Sequence, residues 1–380
     1  MLEIALFLLY NINKEGVIVR YIIKDEKYHF VSAFDMQTGA YVRTGVLDDN
    51  GKDTGVDPFM ASYPHLIDVG IMGHCIHGKT GLCAKAGIGC YQSGKFVHKE
   101  NMDVKDFEWI AKQSKGRCNQ FALGGRGDPD QHERFEEILK ICRENQLVPN
   151  FTTSGFGMTR EIAKLCKQYC GAVAVSWYRN DYTYKAIECL LSEGVKTNIH
   201  FVLGNNSIDE AIQRLKENDF PKGINAVIFL LHKPVGQGTQ DNVLSVDDIR
   251  VQEFFKQVDS RHPFKVGMDS CNVPGAIQFC KTILPESLDT CEAARFSCYI
   301  SADMMMVPCS FDQDRKYQVS LKEMTIEEAW NSLPFEMFRN KMRRACMGCS
   351  KRQLCLGGCP IVPEIVFCNS EKRRIVHEDS

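Results

Sequence analysis

"QFALGGRGDPDQHERFEEILKICRENQLVPNFTT", residues 120–153, carries one complete structural unit. Its two ends, 120–125 and 147–153, are apolar runs of strand length. Between them Phe135, Ile138, Leu139 and Cys142 recur at intervals of three and four, the spacing of one helix face. The alternation extends over residues 67–267, with further strands at "IDVGIM" (67–72), "GAVAVSW" (171–177), "TNIHFVLG" (197–204) and "INAVIFLL" (224–231). Ser207 followed by Glu210 has the spacing of a capping box opening another helix. Strand–helix alternation over about 200 residues predicts a parallel sheet with helices outside. Six strands are fewer than the eight of a closed barrel, so the expected fold class is α/β, a partial (β/α)6 TIM-like barrel. Its chemistry belongs at the carboxyl ends of the strands.

Residues 1–60 predict a short β-rich segment, from "IALFLLY" (4–10), "GVIVRYII" and "KYHFVSAF" with the turn cluster "DDNGKDTG". After residue 268 the alternation stops and cysteine dominates, which puts a domain boundary near 266. The expected organisation is therefore 1–60 N-terminal segment, 61–265 barrel and 266–380 a small cysteine-rich domain. Thr325 and Glu328 again have capping-box spacing, and the polar tail "NSEKRRIVHEDS" is expected to fray.

A formal net charge of −2 and the lack of a Lys/Arg stripe give no case for nucleic acid. The run at 4–10 is too short to span a bilayer and lacks a signal peptide's basic flank and cleavage site. A cytoplasmic protein is expected. Eighteen cysteines in 380 residues is the abnormal figure, and in a cytosolic chain it predicts metal or redox chemistry rather than disulfides. Eleven fall in two dense regions, 75–90 and 291–368. Cys118, Cys142, Cys166, Cys170, Cys189, Cys271 and Cys280 stand apart, and core packing is the default reading for such single thiols. Cys271, in "MDSC" at the domain junction, is either a buried thiol or a redox or radical-quenching residue facing the cleft.

The most specific motif is "CMGCSKRQLCLGGCP", with Cys346, Cys349, Cys355 and Cys359 spaced C-x2-C-x5-C-x3-C, then Cys368. Upstream lie Cys291, Cys298 and Cys309. Eight thiols match two four-thiolate sites, either iron–sulfur clusters or structural zinc. The pattern resembles the SPASM domain of radical S-adenosylmethionine enzymes, which carries two auxiliary 4Fe-4S clusters. A partial barrel with three cysteines after its first strand is similar to that superfamily's catalytic domain, and the resemblance covers roughly residues 65–370.

The resemblance implies a first auxiliary cluster on Cys291, Cys309 and Cys359, and a second on Cys346, Cys349, Cys355 and Cys368. Cys298, in the strand-like "FSCYIS", is either the first cluster's fourth ligand or a buried core thiol that leaves one iron open to a substrate thiolate. It implies a catalytic cluster on Cys75, Cys83 and Cys90, three thiolates that leave one iron open to S-adenosylmethionine. The cysteines are spaced C-x7-C-x6-C, where the superfamily usually has C-x3-C-x2-C. Gly89 stands where an aromatic is usual, and Tyr91 follows the third cysteine instead. Met304 replaces the usual glycine after Asp303. His74 and His77 are further candidate ligands.

Gly124, Gly125 and Asp128 resemble the motif that receives the methionine ammonium. Thr153, Ser154 and Ser176 resemble ribose- and carboxylate-contacting positions, and Val202 and Gly204 the adenine-contacting turn. The implied cofactors are three 4Fe-4S clusters and S-adenosylmethionine, the implied chemistry hydrogen abstraction by a 5′-deoxyadenosyl radical. The implied substrate is a ribosomally made precursor peptide, altered by a crosslink, a thioether or backbone excision. Implied partners are a flavodoxin- or ferredoxin-type electron donor and a separate leader-peptide recognition protein. An anaerobic sulfatase-maturing role is a close variant, and a non-catalytic iron–sulfur or zinc scaffold the reading from another class.

Overall fold

The computed structural model describes residues 20–284, 287–344, 346–352 and 354–368. The strand expected at 4–10, the start of "GVIVRYII" and the C-terminal tail lie outside these. Strands β1 (Arg20–Asp25), β2 (Phe30–Asp35) and β3 (Tyr41–Arg43) form an antiparallel meander. Its turns are closed by carboxylates, Asp25 accepting from Lys27 and Tyr28 amides and Asp35 from Gln37 and Thr38 amides.

The main sheet contains the six expected strands: β4 (Leu66–Met72), β5 (Gln120–Gly125), β6 (Val148–Thr153), β7 (Val173–Ser176), β8 (Thr197–Leu203) and β9 (Ala226–Leu231). They are parallel neighbours in chain order. A seventh, β10 (Lys265–Met268), pairs with β9. It escapes sequence reading because it is short and lacks a buried face. On the other edge β11 (Ser297–Ile300) lies parallel to β4 and continues antiparallel into β12 (Met305–Val307) and β13 (Val319–Ser320). The cysteine-rich segment therefore extends the barrel sheet itself, and the barrel stays open between β10 and β13.

Short helices α1 (Ile76–Thr80) and α2 (Leu82–Lys85) follow β4. The crossovers are α3 (Val104–Ser114), α4 (Phe135–Glu144), α5 (Arg160–Tyr169), α6 (Asp181–Ser192), α7 (Ile208–Glu217) and α8 (Ile249–Val258). Helix α9 (Val273–Phe279) follows β10, and α10 (Ile326–Trp330) and α11 (Leu333–Arg344) pack beneath the C-terminal segment. On α4 the expected face of Phe135, Ile138, Leu139 and Cys142 is buried against the sheet. The capping box at Thr325 and Glu328 is formed. The one expected at Ser207 is not: its hydroxyl donates to the Val202 carbonyl and accepts from the Gly204 amide. Glu210 is drawn away to Trp177 and Arg214. Cys118, Cys142 and Cys166 are core residues. Among the described residues no helix is long and apolar enough to cross a membrane.

Met304 occupies the turn between β11 and β12 with φ of 64° and is 3% exposed. A left-handed backbone costs a side-chain-bearing residue roughly 1–2 kcal/mol, whereas burying a methionine stabilises by about 2–5 kcal/mol. Packing therefore outweighs the strain, which explains why this turn dispenses with glycine. Met304→Gly is expected to lower stability, and Met304→Ala by about 1 kcal/mol more, because alanine keeps the strain and loses the packing. Urea unfolding of the three proteins checks the order.

Candidate functional site

The loop after β4 carries Cys75, Cys83 and Cys90, and its local structure accounts for their unusual spacing. Cys75 caps α1, which ends at Gly81 in the left-handed conformation (φ of 67°). Cys83 lies within α2, and the chain then turns through Gly87. Two single-turn helices thus take up the extra residues, and the three thiols return to one another. Burial pushes the Cys75 and Cys83 thiols up, Cys83 to about 11, and both have Cys90 and Asp128 as neighbours, with Cys75 also acting on Cys83. Three half-buried cysteines on one loop are a set of soft sulfur donors, and such donors suit iron. The residues present therefore fit an iron–sulfur cluster with three protein ligands.

Every neighbouring strand end pins this loop. The Tyr178 hydroxyl after β7 donates to Cys83 Sγ at 3.2 Å, and Arg179 Nη1 to the Ala86 carbonyl at 3.1 Å. After β8, Asn206 Nδ2 donates to the Gly87 carbonyl at 3.0 Å. After β9, the Gln237 amide donates to the Cys90 carbonyl at 2.9 Å. Gly89 packs so closely on Gln237 and Gly238 that a Cβ would lie 2.5 Å from the Gln237 carbonyl oxygen. No aromatic fits there. Tyr91 stacks instead on Phe311, ring centroids 4.3 Å apart, and so tethers the loop to the C-terminal segment rather than joining the strand-end groups.

At the ends of β5 and β6, Asp128 is the centre of a small network. Its Oδ2 lies 2.9 Å from His77 Nε2 and accepts from Ser154 Oγ at 2.5 Å, and its Oδ1 accepts from the Ser154 amide at 2.9 Å. His77 is thus tied to a carboxylate, while His74 turns away to the Lys99 carbonyl. Gly124 faces open space, whereas Gly125 has φ of 114° because a Cβ would run into the Met72 backbone. Thr153 is fully buried, its hydroxyl accepting from the Gly155 amide, so Ser154 is the member of that pair that reaches Asp128. Ser176 serves Tyr178. The Val202 carbonyl is taken by Ser207, and Gly204 packs on Asn242. Tyr178, Arg179, Asn206 and Gln237 had no sequence signal beyond their places just after strands.

The remaining cysteines divide between two places. Cys271, Cys291, Cys309 and Cys359 line a cavity of about 710 Å³ between the barrel end and the C-terminal segment, with Asp68, Lys233 and Phe311. Burial pushes the Cys291 thiol up to about 12 and Cys309 higher still. Cys298, the expected fourth member, reaches this wall but sits in β11 at 2% exposure; its neighbours are Cys118, Asp68 and Arg339. Cys355 has Cys346 and Cys368 as neighbours, and Cys349 lies in the same turn as Cys346. Among the described residues no three ligating groups are drawn tight enough for a bare ion. Tetrahedral zinc needs sulfurs only about 3.8 Å apart, from Zn–S bonds of about 2.3 Å. Thiols around a cavity of this volume have room for a larger group.

Residues 291–350 match the SPASM family, an iron–sulfur cluster-binding domain. No curated protein matches by sequence. The fold is shared with Streptococcus suis SuiB, solved with its precursor peptide SuiA. Identity is 13%, TM-score 0.65, and the match covers 92% of this chain and 98% of that one. SuiB bound to S-adenosylmethionine matches at 13% identity and TM-score 0.66 over 93% and 100% of the two chains. anSMEcpe, solved with AdoMet and the Cp18Cys peptide, matches at 16% identity and TM-score 0.57 over 82% and 92%.

Proposed function

We propose that this chain is a radical S-adenosylmethionine enzyme that modifies a ribosomally synthesised peptide. The carrying observation is the three-cysteine loop hung from β4 and pinned over an ordered row of strand-end groups, in a fold shared with a protein solved with its precursor peptide. Cys75, Cys83 and Cys90 would hold the catalytic cluster and leave one iron open for the cofactor. Cys346, Cys349, Cys355 and Cys368 would hold one auxiliary cluster, and Cys291, Cys309 and Cys359 three corners of another. When bound and reduced, the catalytic cluster supplies the electron that cleaves S-adenosylmethionine and so furnishes the hydrogen-abstracting agent.

This chain's residues then bind, orient and exclude water. Asp128, fixed by His77 and Ser154, presents carboxylate charge at the end of β5, suited to the methionine ammonium. The backbone at Gly124 is open to a ligand lying against it. Tyr178 steadies Cys83, and Arg179, Asn206 and Gln237 close the loop against water. The electron would come from a flavodoxin- or ferredoxin-type donor. SuiB was solved with its precursor peptide and anSMEcpe with the Cp18Cys peptide, which supports a peptide as the substrate class.

Anaerobically reconstituted protein with dithionite and S-adenosylmethionine is expected to release 5′-deoxyadenosine, and Cys83→Ala to release none above background. Equal release from both, or none from the unsubstituted protein even with its precursor peptide, would overturn the assignment. About two zinc ions and no iron by metal analysis would favour the scaffold reading.

A further inference from the structure

The expected ligand set of the first auxiliary cluster leaves its fourth corner to Cys298, in a strand. The structure offers another thiol. Cys271 comes from the barrel, in the turn after β10. That turn is rigidly built: Asp269 accepts from Asn272 Nδ2 at 2.7 Å and from the Leu231 amide at 3.2 Å, tying it to the end of β9. The Cys271 thiol contacts that of Cys359, and both Cys291 and Cys309 have Cys271 as a neighbour. All four line the same cavity. Cys298 also reaches this cavity, but from within β11, and the groups that act on it most are Cys118, Asp68 and Arg339.

A cation completes the arrangement. Lys233, the second residue after β9, has a side chain only 3% exposed. Its Nζ donates to Asp269 Oδ2 and to the Leu231 carbonyl, each at 3.1 Å, and lies 4.3 Å from the centroid of Phe311. The Asp269 carboxylate pairs with it, and Cys271 and Cys359 line the same cavity. Four thiolates around iron carry net negative charge, and a cation held in the wall of the same cavity complements it.

We propose that Cys271, Cys291, Cys309 and Cys359 together hold the first auxiliary cluster, with Lys233 as a positioning residue whose charge sets its reduction potential. This rests on the reading of the chain as an iron–sulfur enzyme and goes beyond it. The cluster becomes a covalent bolt between barrel and C-terminal segment, because one ligand belongs to the barrel. Each thiol gives up its proton on binding iron. A nearby positive charge favours the reduced, more negative cluster, so Lys233 raises the potential.

The test uses full-length protein carrying Cys75→Ala, Cys83→Ala and Cys90→Ala, so that only the auxiliary clusters remain and about 8 irons are expected, four for each of two clusters. Iodoacetamide labelling read by mass spectrometry should find Cys271 protected until iron is stripped. Adding Cys271→Ser should abolish or change one of the two electron paramagnetic resonance signals, while Cys298→Ser leaves both. Lys233→Met should keep the iron and shift one reduction potential downward. Labelling of Cys271 in the iron-loaded protein, or a signal lost with Cys298→Ser and kept with Cys271→Ser, overturns the ligand assignment. An unshifted potential in Lys233→Met overturns the role of the lysine. Absence of iron from the parent protein instead removes the enzyme reading beneath both.

Discussion

Asp128→Asn is expected to weaken S-adenosylmethionine binding by roughly ten- to a hundredfold, about 1.4–2.8 kcal/mol. The range follows from what a hydrogen bond to a charged group contributes, about 1.5–3 kcal/mol. A carboxylate offers about four acceptor positions, and Asp128 uses three of them on His77 and on two Ser154 donors. One remains for the cofactor's ammonium, with the full negative charge behind it. Asparagine keeps an oxygen for the Ser154 amide, so the loops at β4 and β6 stay joined and the unfolding midpoint should barely move. The variant's 5′-deoxyadenosine formation should fall in proportion at low cofactor concentration and recover partly at saturation. Anaerobic equilibrium dialysis of the iron-loaded variant measures the affinity directly. Unchanged affinity with a lower unfolding midpoint would show Asp128 to be a clamp and nothing more.

The candidate site was legible where it depends on order along the chain and illegible where it depends on folding back. The strand ends at Gly124, Ser154, Ser176 and Gly204 could be placed because period and length mark the strands that carry them. The cysteine spacing of the first loop could not be understood from sequence, because helices of five and four residues give no periodicity to detect. Once α1 and α2 are seen, C-x7-C-x6-C is a short loop with two helical turns inserted. Lys233, Asp269 and Cys271 were hidden for a related reason. Asp269 and Cys271 lie 36 and 38 residues after Lys233 on an adjacent strand end, and β10, which brings them together, is four residues long with no buried face to mark it as a strand. Ser207 shows the converse failure: its hydroxyl turns back to the strand end at Val202 and Gly204, and the Glu210 carboxylate goes to Trp177 and Arg214.

Arg295→Met is expected to be the most destabilising single change, by about 3–5 kcal/mol, the range for breaking a buried charge pair. The side chain is fully buried. It donates from Nε to the Phe59 carbonyl at 2.5 Å, from Nη1 to the Cys291 carbonyl at 3.1 Å, and from Nη2 to Asp57 Oδ2 at 2.6 Å. Methionine fills most of the volume but leaves two carbonyls unpaired. Asp57 is one-third exposed and can turn to water, which places the loss nearer the lower end. Arg295→Lys keeps the charge without the planar fork and should fall between. The same turn is gripped from below by Arg339, whose Nε donates to the Ala294 carbonyl at 2.6 Å and whose Nη2 donates to the Trp330 carbonyl at 2.8 Å. Ala294 is left-handed, φ of 59°, so this turn needs holding. Two guanidinium groups on one strained turn should act as a unit, and the Arg295→Met/Arg339→Met pair should cost less than the sum of its singles. Because Arg295 holds the Cys291 carbonyl, iron content should fall with stability in Arg295→Met, whereas Met304→Gly, in the next turn of the chain, should lose stability and keep its iron. Urea unfolding paired with iron analysis separates a turn that positions a ligand from one that only packs.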